Sequence, residues 1–488
     1  MVVPFVLAFF VLFIAPFLLL FLLKPSPKNL PPGPFAWPLI GTILPNEKQP
    51  HVELTNLAQT YGPIMLLKFG VEHVVVVSTN EAAMQVLKTH DLVLSGRYAP
   101  NSVKIKGYIE YSMVWNDCNE YWKMVRKIWK TELLSTKMLD AQACVREEKV
   151  MELVDFLRGK RGHVVKFADL IYGCLLNILG AIVFSQNVYD FDDTSNNELG
   201  MKAMIRELMV LAANPNNLAD LYPMLGGSDF QGLRKATAAC VKRMNELWGS
   251  IVRERRKTNA HFKNDFLDVL IKADFSDPQI DAMFLEIFGP GSDTSTSTIE
   301  WAMAELLRSP EKLKNVRKEL NNVVLGTKQV KESDLPNLPY LNAVVKETLR
   351  LHPPATFLLP HRAIEECQVM GYTIPKGCQL MVNTHAIGRD SKTWNDPLSF
   401  NPERFLLDTE IDYQSSTDFK YIPFGAGRRI CPGLSLAARV VPLVLASLIN
   451  TFDWSLPNGM DPSELDMEEK FGAALWKEVP LLIIPKVQ

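Results

Sequence analysis

One ten-residue run limits what this chain can fold into more than any other feature: Phe424-Gly-Ala-Gly-Arg-Arg-Ile-Cys-Pro-Gly433. It sets one cysteine, Cys431, in a loop with glycine at Gly425, Gly427 and Gly433 and paired arginines at Arg428 and Arg429. Glycines let a backbone turn tightly and pass close to a large flat ligand. A thiolate held in such a loop can be the axial ligand of a haem iron. The same residues also fit a glycine-rich turn around a buried cysteine that acts as a small hydrophobe. In either case the loop feeds a helix, because apolar residues recur at helical spacing from about Leu434 to Phe452.

The rest of the chain narrows the class. Its 488 residues carry a formal charge of −2, so no global field would draw it to nucleic acid. Seven cysteines are scattered singly, with no CxxC pair and an odd count. That pattern argues against a disulfide framework or a zinc site and for a reducing compartment. Residues 1–23 hold no charge and are dominated by Phe, Leu and Val. The stretch is long enough to cross a bilayer as a helix and lacks the marks of a cleaved signal peptide. Lys24 and Lys28 follow at once, which favours a cytosolic position for everything downstream. Residues 24–34, rich in proline, read as a stiff hinge. Residues 35–488 contain no second linker and read as one catalytic domain.

Within that body, Ile64–Phe69 and His73–Ser78 flank Gly70-Val-Glu and predict a hairpin. Helical spacing then dominates, over Trp122–Leu134, Ala141–Arg158, Phe167–Phe184, Met201–Ala213, Gly232–Thr258, Pro278–Arg308 and Asn342–Leu351. Strand-like pieces return at Tyr372–Pro375 and Gln379–Asn383. The expected class is mostly α (α+β), a large helical domain beside a small β-rich region.

Four further strings carry chemistry. Glu347 and Arg350 stand three apart on a helix with apolar flanks, and Pro402-Glu-Arg-Phe405 adds Arg404. A buried carboxylate between two guanidiniums can be fully hydrogen-bonded. Glu286 to Glu300 has helical spacing yet contains Gly289-Pro290-Gly291. Proline costs about 3 kcal/mol inside a helix, so the segment is either a functional distortion of one helix or two helices joined by a turn. Trp122 and Arg126 share a helix face, with Lys123, Lys127 and Lys130 beside them.

Together these strings resemble the FxxGxRxCxG, ExxR, PERF and WxxxR motifs of the cytochrome P-450 superfamily, and the resemblance covers the whole chain. It implies the P-450 fold with an N-terminal transmembrane helix, and haem b with iron bound by the Cys431 thiolate. The propionates would meet Trp122, Arg126, His361 and Arg429. Asp293 and Thr294 match the acid–alcohol pair that supplies protons, and Pro290 stands where the family usually has a small residue. Glu347, Arg350 and Arg404 would brace the core. The lysine face would receive an NADPH-dependent reductase. Substrate would be contacted by about Ser102 to Trp115, Ala355 to Leu359 and Phe471 to Leu475. Finer similarity is to plant microsomal members of alkaloid pathways. That places the chain on the cytosolic face of the endoplasmic reticulum membrane, single-pass, oxidising a small-molecule alkaloid. Phenol coupling needs only two rings held close and no oxygen insertion, and it is the expected reaction because the proline-modified oxygen groove resembles that of a coupling enzyme. Regioselective hydroxylation or an oxidative rearrangement are the alternatives.

Overall fold

The computed structural model describes residues 29–192, 200–257, 263–324, 329–408, 410–413 and 418–487. Most of the described residues are helical, and the strands between the helices are short. The apolar N-terminal span lies outside the described residues. Among the described residues two helices, Phe167–Phe184 and Leu434–Thr451, are long and apolar enough to cross a membrane. Both are core elements: 83% and 61% of their most apolar windows are buried inside the fold.

The long helix Asp277–Arg308 runs through the middle. Its start is fixed by a reciprocal cap, in which the Gln279 side chain accepts from the Ser276 amide at 2.9 Å. It is continuous across Gly289-Pro290-Gly291, so the two-helix alternative is excluded. Packing overrides the local cost. The helix lies against Phe167–Phe184, Leu434–Thr451 and Pro339–Leu351, and Phe284, Phe288 and Trp301 on it are fully buried.

The main sheet has five strands in the order Ile64–Phe69, Glu72–Val77, Gln379–Val382, His361–Arg362 and Gly96–Arg97. The hairpin forms as expected, with Ile64 opposite Val77 and Gly70 in the left-handed region at φ +60°. Val74 to Val77 are all fully buried, which explains an unbroken β-branched run. This sheet sets His361 directly opposite Arg97. A two-stranded ladder, Glu469–Lys470 with Trp476–Lys477, carries the loop 471–475.

The described part of the proline-rich segment is fastened to the body. Leu66 N donates to Pro32 O at 2.8 Å and Thr373 N to Asn29 O at 2.8 Å. A Cβ on Gly33 would meet Leu66 O at 1.9 Å, so close approach requires glycine there. The helix expected from Trp122 begins earlier, at Glu120, because Asn119 caps it by accepting from Trp122 N at 2.8 Å. It ends at Ile128 and passes into a wider π-type turn, Trp129–Leu133.

Candidate haem-thiolate site

Cys431 lies in the last turn of the glycine-rich loop, immediately before the helix Leu434–Thr451. Cys431 N donates to Phe424 O at 2.9 Å, which closes the loop on itself. Gly427 has φ +66°, and a Cβ on it would meet Leu87 O at 2.2 Å, so only glycine fits. Arg428 anchors the loop's outer side through Nε to Asp91 at 3.1 Å. Burial pushes the Cys431 thiol up, while the amides of Gly433 and Leu434 and the Arg126 guanidinium pull it down.

Beside this loop stands an excess of buried positive charge. The Trp122 ring lies between Arg429, 5.0 Å from its centroid, and Arg126 at 5.8 Å. Trp122 Nε1 donates to Met113 O at 3.0 Å, which fixes the ring. Arg429 donates to Ser95 O at 2.9 Å and Asn116 O at 2.6 Å, Arg97 to Leu359 O at 2.6 Å, and Arg126 to Ile430 O. These acceptors are backbone carbonyls. Among the described residues no carboxylate lies within ion-pair distance of any of the three guanidiniums. Burial first, then the neighbouring Arg429, pushes Arg97 down to about 9, and its Nε is buried with no partner among the described residues. Burial pushes His361 down to about 3, so it is a neutral imidazole, with Nδ1 2.8 Å from Leu94 O. Sequence reading missed Arg97. Only the pairing of Gly96–Arg97 with His361–Arg362 brings it here.

One cavity of about 1020 Å³ is lined by Cys431, Trp122, Arg126, His361 and Arg429, and by all three segments expected to meet substrate. That volume is large for a small-molecule site, as suits a cavity that holds a prosthetic group beside a substrate. From the long helix it is lined by Glu286, Pro290, Gly291, Thr294, Ser295 and Thr298. Thr294 faces the cavity, and its hydroxyl donates to Pro290 O at 2.9 Å. Asp293 is not on the cavity wall. It is 3% exposed and sits near Tyr172 and Arg206, and burial raises it to about 6. Among the described residues, Asp293 Oδ1 and the Tyr172 hydroxyl are buried close to one another, and neither has a partner in full hydrogen-bond geometry.

Glu286 was not anticipated either. Its carboxylate accepts from Met113 N at 2.9 Å, Val114 N at 3.1 Å and the Ser112 hydroxyl, and so ties the substrate loop to the long helix. Burial raises it to about 7 against those hydrogen bonds. No signal in the sequence marks a pairing across more than 170 positions.

The second arginine pair behaves differently. Arg350 grips Glu347 at 2.7 and 2.8 Å, Arg404 Nε joins at 3.1 Å, and Asn401 N donates at 2.7 Å. Glu347 is fully buried and fully satisfied, and it does not line the cavity. Lys123, Lys127 and Lys130 are exposed on the outer face of the Trp122 helix and the turn after it.

The residues present fit a haem. A thiol opens on the cavity, Gly425 with φ +68° lines the wall beside it, and a set of cations without counter-ions among the described residues matches two carboxylates carried by the ligand.

Comparison with known proteins agrees with the geometry. The family model described as Cytochrome P450 matches residues 31–484. The (S)-N-methylcoclaurine 3'-hydroxylase isozyme 1 of Papaver somniferum is 50% identical over 97% of this chain and 98% of its own length. Corytuberine synthase of Coptis japonica is 50% identical over 96% of each chain. Berbamunine synthase of Berberis stolonifera is 48% identical over 96% of this chain and 97% of its own.

Proposed function

The chain belongs to the cytochrome P450 family, and from that premise we propose that it oxidises a benzylisoquinoline alkaloid by coupling its phenols. As a member of the family it is an oxidoreductase that uses haem-thiolate iron and electrons from a reductase. Bound haem supplies the activation of dioxygen.

Cys431 is assigned as the thiolate ligand, and Trp122, Arg126, His361 and Arg429 as the propionate side, with Arg97 added to them. Arg126 and Arg429 would hold the propionates by charge-assisted hydrogen bonds, and His361, being neutral, would serve as a plain hydrogen-bond partner. Asp293 and Thr294 are assigned to proton supply. A carboxyl near 6 can hold or release a proton close to neutral pH. The Thr294 hydroxyl stands on the cavity wall with its proton resting on Pro290 O at 2.9 Å, and it must turn from that carbonyl to pass a proton on.

Coupling rests on one observation, Pro290. It stands on the cavity wall inside an unbroken helix, with its carbonyl engaged by the Thr294 hydroxyl at 2.9 Å. Proline brings no N–H and a fixed ring, so the groove cannot rearrange there as it could around alanine. Coupling asks the protein to hold two phenols in place and no more. Similarity to corytuberine synthase and berbamunine synthase supports the same reading. The equal similarity to the 3'-hydroxylase of Papaver somniferum supports regioselective hydroxylation as the second reading. Residues 1–23 are proposed as a single membrane anchor in the endoplasmic reticulum, residues 24–34 as the segment joining it to the body, and residues 35–488 as the catalytic domain on the cytosolic side.

Microsomes containing the chain and a plant reductase, fed a benzylisoquinoline panel, distinguish the readings by product mass. Coupling removes two hydrogens, and hydroxylation adds one oxygen. Pro290→Ala should raise the hydroxylated fraction or the leakage of peroxide. Unchanged ratios would leave Pro290 as a structural variant and remove the support it gives to coupling.

A further inference from the structure

The loop 471–475 brings Phe471, Gly472 and Ala473 to the cavity, yet its ladder has only two residue pairs, Glu469 with Lys477 and Lys470 with Trp476. A two-rung hairpin is too weak to fix a loop by itself. Side chains supply the rest. At the far end, Leu475 O accepts from Trp301 Nε1 at 3.0 Å and from the Ser297 hydroxyl, both on the long helix. At the near end, the Glu469 carboxylate is surrounded by His352 Nδ1 at 2.7 Å, His51 Nε2 at 2.9 Å, Arg389 Nη2 at 3.0 Å and His385 Nε2 at 3.4 Å. His352 reaches on to Glu305 at 2.9 Å, and the Trp301 ring lies flat on it at 3.9 Å. Both fasteners therefore end on one helix. They share no atom with the cavity: none of Glu469, His51, His352 and Glu305 lines it.

The link from this network to the cavity is His51. Its ring is fully buried, bonds Glu469, and stacks on Phe471 with centroids 5.8 Å apart and planes 14° from parallel. Phe471 in turn meets Phe357 at 5.7 Å, and both line the cavity. His51, His385 and Glu469 place three donor atoms within 4.8 Å of one another, which also suits a metal ion. The Glu469 carboxylate is already paired with Arg389, and burial-opposing bonds from Glu305 and Glu469 hold His352 above its ordinary range. The site's positive charge is thus supplied from within the fold, and the cluster reads as a clamp.

We propose that Glu469 is a positioning residue for the cavity: through His51 it sets the Phe471 ring, and so the shape offered to bulky ligands. The claim does not depend on which alkaloid is oxidised. The test uses two probes of the full-length holoprotein that read cavity shape without substrate, imidazole itself and a long aryl-substituted imidazole, titrated by their haem spectra. Glu469→Gln and His51→Phe should each change the affinity for the aryl imidazole about tenfold, while that for imidazole moves by less than about twofold. Phe471→Ala should do the same, and Glu469→Gln combined with Phe471→Ala should add nothing further, because one acts through the other. Additive effects, or equal changes with both probes, would overturn the proposal. If Glu469→Gln yields too little holoprotein, His51→Phe carries the test, since it keeps an aromatic ring and loses only the bond. Hydrogen exchange of the 469–477 peptide in that variant should quicken, and unchanged exchange together with unchanged aryl imidazole affinity would sink the idea.

Discussion

Among the described residues, the arginines around Glu347 and those around Trp122 form two largely buried clusters, and they differ in what neutralises them. Around Glu347, one carboxylate meets Arg350 and Arg404, accepts a backbone amide as well, and lies away from the cavity. Around Trp122, Arg97, Arg126 and Arg429 lean on backbone carbonyls and on the ring, face the cavity, and keep their charge. A buried charge without a counter-ion is costly. A fold tolerates three together where a ligand brings the opposite charge. The balanced cluster is architecture, and the unbalanced one is a site.

The comparison breaks most visibly at Glu347. Glu347→Ala strands two buried guanidiniums and should destabilise the fold by about 3–5 kcal/mol, read as loss of holoprotein on expression and a lower denaturation midpoint. In the other cluster the same kind of change should act on the ligand. Arg126→Leu should speed transfer of haem to a scavenger protein roughly tenfold, with denaturation of the fold moved by less than about 1 kcal/mol. If Arg126→Leu unfolds the protein as Glu347→Ala does, the distinction fails. Cys431→Ala should leave the cations in place and remove the thiolate signature from the carbon-monoxide difference spectrum; a surviving signature would overturn the assignment of the axial ligand.

Smaller effects sharpen the contrast between charges held by partners and charges opposed by burial. Glu286 is raised from 4.5 to about 7 by burial. A carboxyl raised in the folded state binds its proton more tightly there than in the unfolded chain. It therefore contributes stability in full below about 4.5, and that contribution is lost as pH rises through about 7. Glu286→Gln should flatten the stability–pH curve across that window by up to roughly one proton's worth of slope, and hydrogen exchange at Met113 and Val114 should quicken. The smallest change expected is at the exposed lysines. Lys127→Glu should lower reductase-supported turnover several-fold at low salt and little at high salt, because exposed charges are screened.

The two clusters also divide what was legible in the sequence. Cys431, Arg429, Trp122 and Arg126 sit in short strings whose spacing reflects local geometry, a loop or one helix face, and the structure brings them to one cavity. Glu347 with Arg350 could be read for the same reason. Arg97 could not, because its place depends on pairing across the sheet with His361. Glu286 and Glu469 were missed because their partners stand far off, Glu469 bonding His51 across 418 positions. Asp293 and Thr294 were read as a pair, but successive residues on a helix point apart, and only Thr294 reaches the cavity. Pro290 was the opposite case: local propensity left a broken helix open, and tertiary packing kept it whole.

The hydroxyls on the long helix have one more effect. Ser292, Thr294, Thr296 and Thr298 each give their proton to a carbonyl four residues back, at 2.6 to 2.9 Å. Where Thr294 and Thr298 border the cavity, they therefore turn lone pairs toward it. To an incoming molecule that wall is an acceptor surface, and it welcomes a group that has a hydrogen to give. A phenol is such a group, while an ether or a ketone of the same shape would find no answering donor on those two side chains.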